Sequence, residues 1–331
     1  MTEKLKKDNS CIDVSVLLIF FNNPDRFEKV YKQVEKAKPT RLFLYQDGPR
    51  LNKNDEEGIL ACRKIVEKIS WECEVFRWYQ DKNVGCDPSE YLAQKWAFSK
   101  TDKCIILEDD DIPSISFFTF CKELLDKYEY DNRIGMIAGM NHEEVTKDIS
   151  SDYFFTTNIS IWGWATWKRV VDLWDEKYLF LDNKDIQLQL KKKLKSINYR
   201  KDFFPMLIRH KKSGIAHYES ILMSYMLLSN SLSIVPTKNM ITNIGMENGT
   251  HSFTEFNCLP NNMKKLYTLQ RYELFGNIKH PLYIIENYDY VKRVYRMMGW
   301  NHPVLMLYRK IIRYILKLKN LIIKKFFNKK L

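Results

Sequence analysis

Lys103-Cys104-Ile105-Ile106-Leu107-Glu108-Asp109-Asp110-Asp111-Ile112-Pro113 is the stretch whose reading decides the fold. The apolar run Cys104 to Leu107, bounded by polar residues, has the pattern of a fully buried parallel strand. It ends in four consecutive carboxylates. Adjacent acids repel, and a folded chain tolerates them most easily with positive charge among them. The carboxyl ends of strands in an open α/β sheet are where such folds hold ligands. A hard divalent cation, Mn²⁺ or Mg²⁺, carrying phosphate oxygens suits that address. The competing reading is a solvated acidic turn.

Upstream, strand and helix alternate. Val14 to Phe21 is a buried-strand run, and in Asn22-Asn23-Pro24 the second asparagine suits an N-cap and the proline a first helical position. Phe27, Val30, Tyr31, Val34 and Ala37 then keep helical spacing. A second strand, Arg41 to Tyr45, breaks at Gln46-Asp47-Gly48-Pro49. A helix with Ile59, Leu60, Ile65, Val66 and Ile69 leads to a third strand, Glu74 to Tyr79. After the polar turn Asp81-Lys82-Asn83-Val84-Gly85, the residues Asp87, Pro88 and Glu90 read as a capping box opening the helix that feeds the acidic strand. Such alternation predicts a doubly wound, mostly parallel α/β sheet.

Downstream, Phe117 to Tyr130 reads as helix and Ile134 to Met140 as strand; beyond residue 150 the rhythm changes. Tyr153 to Ile161 reads as strand. Trp162-Gly163-Trp164-Ala165-Thr166-Trp167 follows, with three indoles in six positions. Lys184 to Lys195 and Tyr218 to Asn230 read as helices, and Ser233 to Pro236 as a short strand. Asn243 to Ser252 is a Gly- and Asn-rich loop, and the remainder reads as helical and basic.

Taken together, the strand ends put Asn22, Asn23, Arg26, Asp47, Asn83, Gly85 and Glu108 to Asp111 along one sheet edge, a set suited to a base, a ribose and a cation-bound diphosphate. No G-x-G-x-x-G follows the first strand, which argues against a dinucleotide site of the Rossmann type, and no G-x-x-x-x-G-K-[ST] occurs, which excludes a P-loop. Seven scattered cysteines without a C-x-x-C pair, and no signal peptide, predict reduced thiols in a cytosolic protein.

The strand-one sequence Phe20-Phe21-Asn22-Asn23-Pro24-Asp25-Arg26, the Asp47-Gly48 pair, Asn83-Val84-Gly85, Glu108-Asp109-Asp110 as a variant D-x-D, the Trp-Gly-Trp-Ala-Thr-Trp segment and the Asn243 to Ser252 loop occur in this order. In that order they resemble the nucleotide-sugar glycosyltransferases of the glycosyltransferase-A fold, family-2-like, of the bacterial surface-polysaccharide type. The resemblance covers about residues 12–255, between a polar leader at 1–11 and a helical extension at 256–331. It implies a metal-dependent, inverting transfer of a hexosyl or N-acetylhexosaminyl group from a nucleoside diphosphate sugar to a glycan or lipid-linked acceptor.

By the same resemblance Asn22, Asn23, Arg26, Asp47 and Asn83 would serve the nucleotide, with Asp47 on the base. Glu108 and Asp109 would face the ribose and diphosphate, and Asp110 and His251 would ligate Mn²⁺ or Mg²⁺. Asp111 is extra to the pattern. Inversion needs a base on the acceptor hydroxyl. Glu219 stands where relatives carry such an acid, with Asp175 and Asp202 as rivals; for Glu219 the alternative is a carboxylate opposing a helix dipole. Trp162 and Trp164 suit a sugar-stacking acceptor wall, and Trp167 core packing.

The net charge of +12 is uneven: twelve Lys and Arg and no acid follow Asp289, so positions 1–289 are formally neutral. That argues against nucleic acid. Within about 303–331, Val304, Tyr308, Ile311, Ile315, Leu318, Ile322 and Phe326 form an apolar stripe opposite Lys310, Arg313, Lys317 and Lys324. An amphipathic helix of this kind fits an anionic membrane surface, here the inner face of the cell membrane. Two other readings compete: a nucleotidyltransferase making nucleotide-sugars, and a non-enzymatic membrane-surface scaffold.

Overall fold

Alternate residues of the first strand, β1 (Ile12–Phe20), face opposite sides of a sheet, and both sides are buried. Val16, Leu18 and Phe20 pack on one side against α1 (Pro24–Ala37), α2 (Glu56–Ile65) and α4 (Ser116–Lys127). Leu17 and Ile19 pack on the other against α3 (Cys86–Phe98), α7 (Ile197–Ser213) and α8 (Tyr218–Leu228). Two covered faces are why the strands read as near-continuous apolar runs. The computed structural model describes residues 11–194, 196–246 and 264–300, with Val304, Leu307, Tyr308, Ile311, Tyr314 and Ile315 beyond them.

The main sheet adds β2 (Pro39–Gln46), β3 (Glu74–Tyr79), β4 (Lys103–Glu108), β6 (Ile134–Ala138), β7 (Tyr153–Thr156), β8 (Trp164–Trp167) and β9 (Leu232–Pro236), in the order β3-β2-β1-β4-β8-β6-β9-β7. The pairs β1–β2, β2–β3, β1–β4 and β6–β9 are parallel. The pairs β4–β8, β6–β8 and β7–β9 are antiparallel. The doubly wound, mostly parallel expectation holds, with an antiparallel insertion. A small second sheet joins β5 (Asp111–Pro113) to β10 (Ile241–Asn243). Because β2 and β4 flank β1, the strand order reverses there, and the crevice beyond the carboxyl ends of β1 and β4 is a topological switch point.

Several expectations are corrected. The strand expected from Tyr153 to Ile161 ends at Thr156, and Trp164 to Trp167, for which no element was expected, is a strand wedged between β4 and β6. Helix α3 begins at Cys86, with Gly85 as its cap at φ 95°, so Asp87 and Glu90 form no capping box. Pro88 still lies in the first turn, where its missing N–H costs no helical bond. Helix α7 contains Pro205, which hides its period in the sequence, although Tyr199, Phe203, Phe204 and Leu207 bury one face. The short α5 (Lys168–Val171) and α6 (Lys184–Lys193) lead into it.

The stretch 269–287 is not helical. It runs along the body, with Glu273 accepting the backbone N–H groups of Ile115 and Ser116 and Asn287 donating its N–H to Phe155. Helix α9 (Tyr288–Met297) then buries Tyr290, Val291 and Val294.

Candidate functional site

The four acids diverge because β4 ends among them and β5 begins at Asp111. Glu108 accepts from the Tyr218 hydroxyl at 3.2 Å, and Asp109 from the Phe21 backbone N–H at 3.1 Å. Asp110 accepts from the Asn243 amide at 2.9 Å. Asp111, wholly buried, accepts from Asn243 at 3.0 Å and from the Gly163 N–H at 2.8 Å. Asp111 therefore ties the tryptophan loop to β10.

Part of the positive charge these acids call for comes from the chain itself. Arg26 Nη1 stands 3.8 Å from Asp110 Oδ2, and Arg26 Nε is buried with no hydrogen-bond partner among the described residues. Burial, and then repulsion from Glu90, raise the Glu108 carboxyl well above the ordinary carboxylate range. Burial and Asp110 push Asp109 up to about 7.

A cavity of about 750 Å³ opens beside this cluster. Its wall includes Glu108, Asp110, Asp87, Glu90, Glu219 and Trp162. Glu219 lies in the first turn of α8 and keeps access to solvent; the protein crowding its carboxyl, and then Asp87, raise its pKa. The rivals lie elsewhere. Asp175 accepts the backbone N–H groups of Lys177 and Leu179, and Asp202 accepts from the Trp300 indole. Trp162 packs against Tyr267 with ring centroids 4.8 Å apart. Trp164 is wholly buried in β8, so it has no face to offer a ligand and the acceptor expectation for it is withdrawn. Trp167 is core, as expected, its indole donating to the Leu125 carbonyl.

The remaining predicted residues, Asp109 and Arg26 among them, lie outside the cavity lining. Asn23 caps α1 through the Arg26 N–H, as its position before Pro24 predicts. Asn22 donates to Asp55, which also takes a two-bond grip from Arg50. Asp47 accepts from Asn83 and from the N–H groups of Gly48, Val84 and Gly85, shaping the loop after β3. His251 lies outside the described residues.

Sequence reasoning missed Asn243, Tyr218 and Glu90 as site residues. Asn243 opens the Gly- and Asn-rich loop, and its side chain also accepts the Gly245 N–H. Gly245 permits a close approach, because a Cβ there would fall 2.2 Å from Asp110 Oδ2 and push the end of that side chain aside. Glu90, nearly buried, takes only a cysteine partner, the Cys86 thiol, among the hydrogen bonds resolved at its carboxyl. Burial raises its pKa well above the usual range.

Among the described residues, no group of three or more His, Cys, Asp and Glu is arranged to hold a metal. A cation held by one or two carboxylates still fits. Mg²⁺ and Mn²⁺ bound with phosphates take few protein oxygens and complete their shell with phosphate and water. Asp110 and Glu108 both border the cavity.

Neither a protein-family model nor a curated protein sequence matches the chain. Among solved structures it is similar to the mannosyltransferase PcManGT from Pyrobaculum calidifontis in complex with GDP-Man and Mn²⁺, with 11% identity and a TM-score of 0.37 over 67% of this chain and 74% of that one. It is also similar to a UDP-glucose pyrophosphorylase complexed with UDP-glucose, with 11% identity and a TM-score of 0.34 over 70% of this chain and 93% of that one. At identities and TM-scores this low, neither likeness bears on what this chain binds or transfers.

Proposed function

We propose that this protein is a glycosyltransferase that moves a sugar from a nucleoside diphosphate sugar to an acceptor hydroxyl, with inversion. The observation that carries the reading is that Glu108 and Asp110, at a topological switch point, share one cavity with Glu219. One side of the cavity thereby offers oxygens for a cation-bound diphosphate, and another offers a base for the attacking hydroxyl.

Asp110, with Glu108 beside it, would hold Mn²⁺ or Mg²⁺. The bound cation would neutralise charge developing on the departing diphosphate. Arg26 supplies a fixed positive charge on the same side, and Asn243 orients Asp110. Glu219 accepts the acceptor proton as the acceptor oxygen bonds to the anomeric carbon and the bond to the diphosphate breaks. A raised pKa suits this role, because a base is most effective when its pKa approaches the working pH.

The rim supports sugar transfer over nucleotidyl transfer. The latter wants a Gly-rich loop and a basic residue directly after strand one, whereas β1 here passes through Asn22 and Asn23 straight into α1. The basic segment that follows α9 is read as a contact with anionic membrane surface at the cytoplasmic face. Its described positions Val304, Leu307, Ile311, Tyr314 and Ile315 are helical and at least half exposed.

Thermal stabilisation by a panel of nucleoside diphosphates, with and without Mn²⁺, tests the reading. Metal-dependent stabilisation by one of them is expected. No stabilisation by any, with or without metal, would remove it.

A further inference from the structure

Two stacked histidines stand behind the carboxylates of the cavity wall. His217 immediately precedes α8, two positions ahead of Glu219. Its ring lies 3.8 Å, centroid to centroid, from that of His210 on α7, with the planes 23° apart. Its Nδ1 meets Asp87 Oδ2 at 3.1 Å, and Asp87 borders the same cavity as Glu219. Its Nε2 lies 3.3 Å from the Ser213 hydroxyl oxygen.

The hydrogen bonds decide where the protons sit. Ser213 donates its one hydroxyl proton to the His210 carbonyl at 2.7 Å, so towards His217 it can only accept. An ionised Asp87 can only accept as well. Both nitrogens of His217 therefore face acceptors, and the ring that satisfies both is the imidazolium. His210 is the neutral member of the stack, because burial, and then His217, lower its pKa. The other charged or titratable groups around His217 are turned elsewhere or lie along its own helix. Lys211 on α7 pairs with Asp182 and donates to the Tyr178 carbonyl, and the Tyr178 hydroxyl meets Ser220. Arg209, also on α7, acts on His210, and Glu219 follows in the first turn of α8.

Such a pair separates the duties of two carboxylates in one wall. Asp87 is tied to a cation through Oδ2. Among the described residues no cation pairs with Glu219, whose pKa is raised by burial and then by Asp87. Neighbouring titratable groups whose surroundings differ in this way take different roles.

We propose that His217 is a positioning residue for the transfer: as an imidazolium it holds Asp87 in the cavity wall as a fixed, ionised hydrogen-bond acceptor and leaves Glu219 as the carboxylate that takes the proton. The proposal rests on the reading of Glu219 as the base, and its test is chosen to fail separately from that reading.

Full-length protein labelled with ¹⁵N in histidine and ¹³C in the glutamate carboxyl is followed by NMR across pH. Spectra of His217→Gln and Glu219→Gln give the assignments. At pH 7 both ring nitrogens of His217 should carry protons, and His210 should carry one. In Asp87→Asn the His217 ring should lose its second proton. Glu219 should then titrate at lower pH than in the parent, because a neighbouring negative charge is gone. In His217→Gln, and in His217→Phe, which keeps a ring on His210, Glu219 should titrate at higher pH, because Asp87 is left uncompensated. Opposite shifts are a signature that loosened packing does not give. A neutral His217 ring in the parent at pH 7 overturns the proposal, and so do Glu219 shifts that run in one direction or are absent. Opposite shifts with unchanged turnover in Glu219→Gln uphold the pair and remove the base reading. Lost turnover in Glu219→Gln with shifts in one direction removes the pair alone.

Discussion

Asn243 donates its side-chain amide to Asp110 at 2.9 Å, across 133 residues of sequence. The same amide reaches the buried Asp111 at 3.0 Å, and the side-chain oxygen accepts from Gly245. One asparagine thus fixes the last carboxylate bordering the cavity, the strand behind it and the turn beside it. Asn243→Ala should cost about 1–3 kcal/mol, because Asp111 is left buried with one partner fewer. It should also weaken Mn²⁺-dependent nucleotide binding by freeing Asp110. Chemical denaturation and calorimetry read the two effects, and a variant as stable as the parent would contradict the assignment.

Asp110 itself separates binding from folding. Asp110→Asn should abolish metal-dependent nucleotide stabilisation while the fold persists, since relief of repulsion among the β4 acids offsets the lost contact with Arg26. Gly245→Ala should do the same more mildly, because its methyl group displaces only the end of the Asp110 side chain. Full metal-dependent binding in a folded Asp110→Asn protein would exclude Asp110 as a ligand.

The parallel half of the fold and the acidic strand end were legible because buried strands announce themselves as short apolar runs between polar turns. Trp164 to Trp167 was not legible as a strand: it is four residues long, and its partners Cys104 and Ala138 lie far away in sequence. The roles of Asp87 and Glu90 were misread for a related reason. Their spacing satisfies a capping box, but the helix starts earlier and tertiary contacts claim both, Asp87 by pairing with His217 at 3.1 Å and Glu90 by burial. Asp110 could be singled out from the D-x-D resemblance, whereas its bond to Asn243 exists only once β10 pairs with β5.

Glu219→Gln should lower turnover by about 10²- to 10⁴-fold, the usual worth of a general base, with nucleotide affinity near that of the parent. Steady-state kinetics combined with nucleotide titration distinguishes this outcome from a structural role. Loss of donor binding, or unchanged turnover, would take the base assignment away from Glu219.

Asp55 links acid stability to the loop before α2. Chiefly the hydrogen bonds from Arg50 hold its carboxyl down at about 2. A depressed carboxylate contributes stability that is complete above its unfolded value near 4 and is lost as pH falls through the folded value. Asp55→Asn should therefore cost about 1–2 kcal/mol at pH 7, discounted because Arg50 is half exposed, and the gap to the parent should close between pH 4 and pH 2. Denaturation midpoints measured across that window check the sign. A gap that widens on acidification would contradict it.

The exposed stripe after α9 tests membrane attachment without truncating the chain. Leu307 and Ile311 are 61% and 50% exposed, so Leu307→Asp with Ile311→Asp should leave the body folded. Burying each side chain in an interface is worth about 1.5–3 kcal/mol, so the double change should weaken binding to anionic vesicles by at least tenfold. Positions 1–289 are formally neutral, so the electrostatic part must come from the twelve basic residues beyond Asp289. In the parent, that part should decline with added salt as screening shortens the range of attraction. Co-sedimentation with vesicles containing phosphatidylserine, against neutral phosphatidylcholine, reads both effects. A parent that fails to bind anionic vesicles at low salt would remove the membrane reading of the stripe.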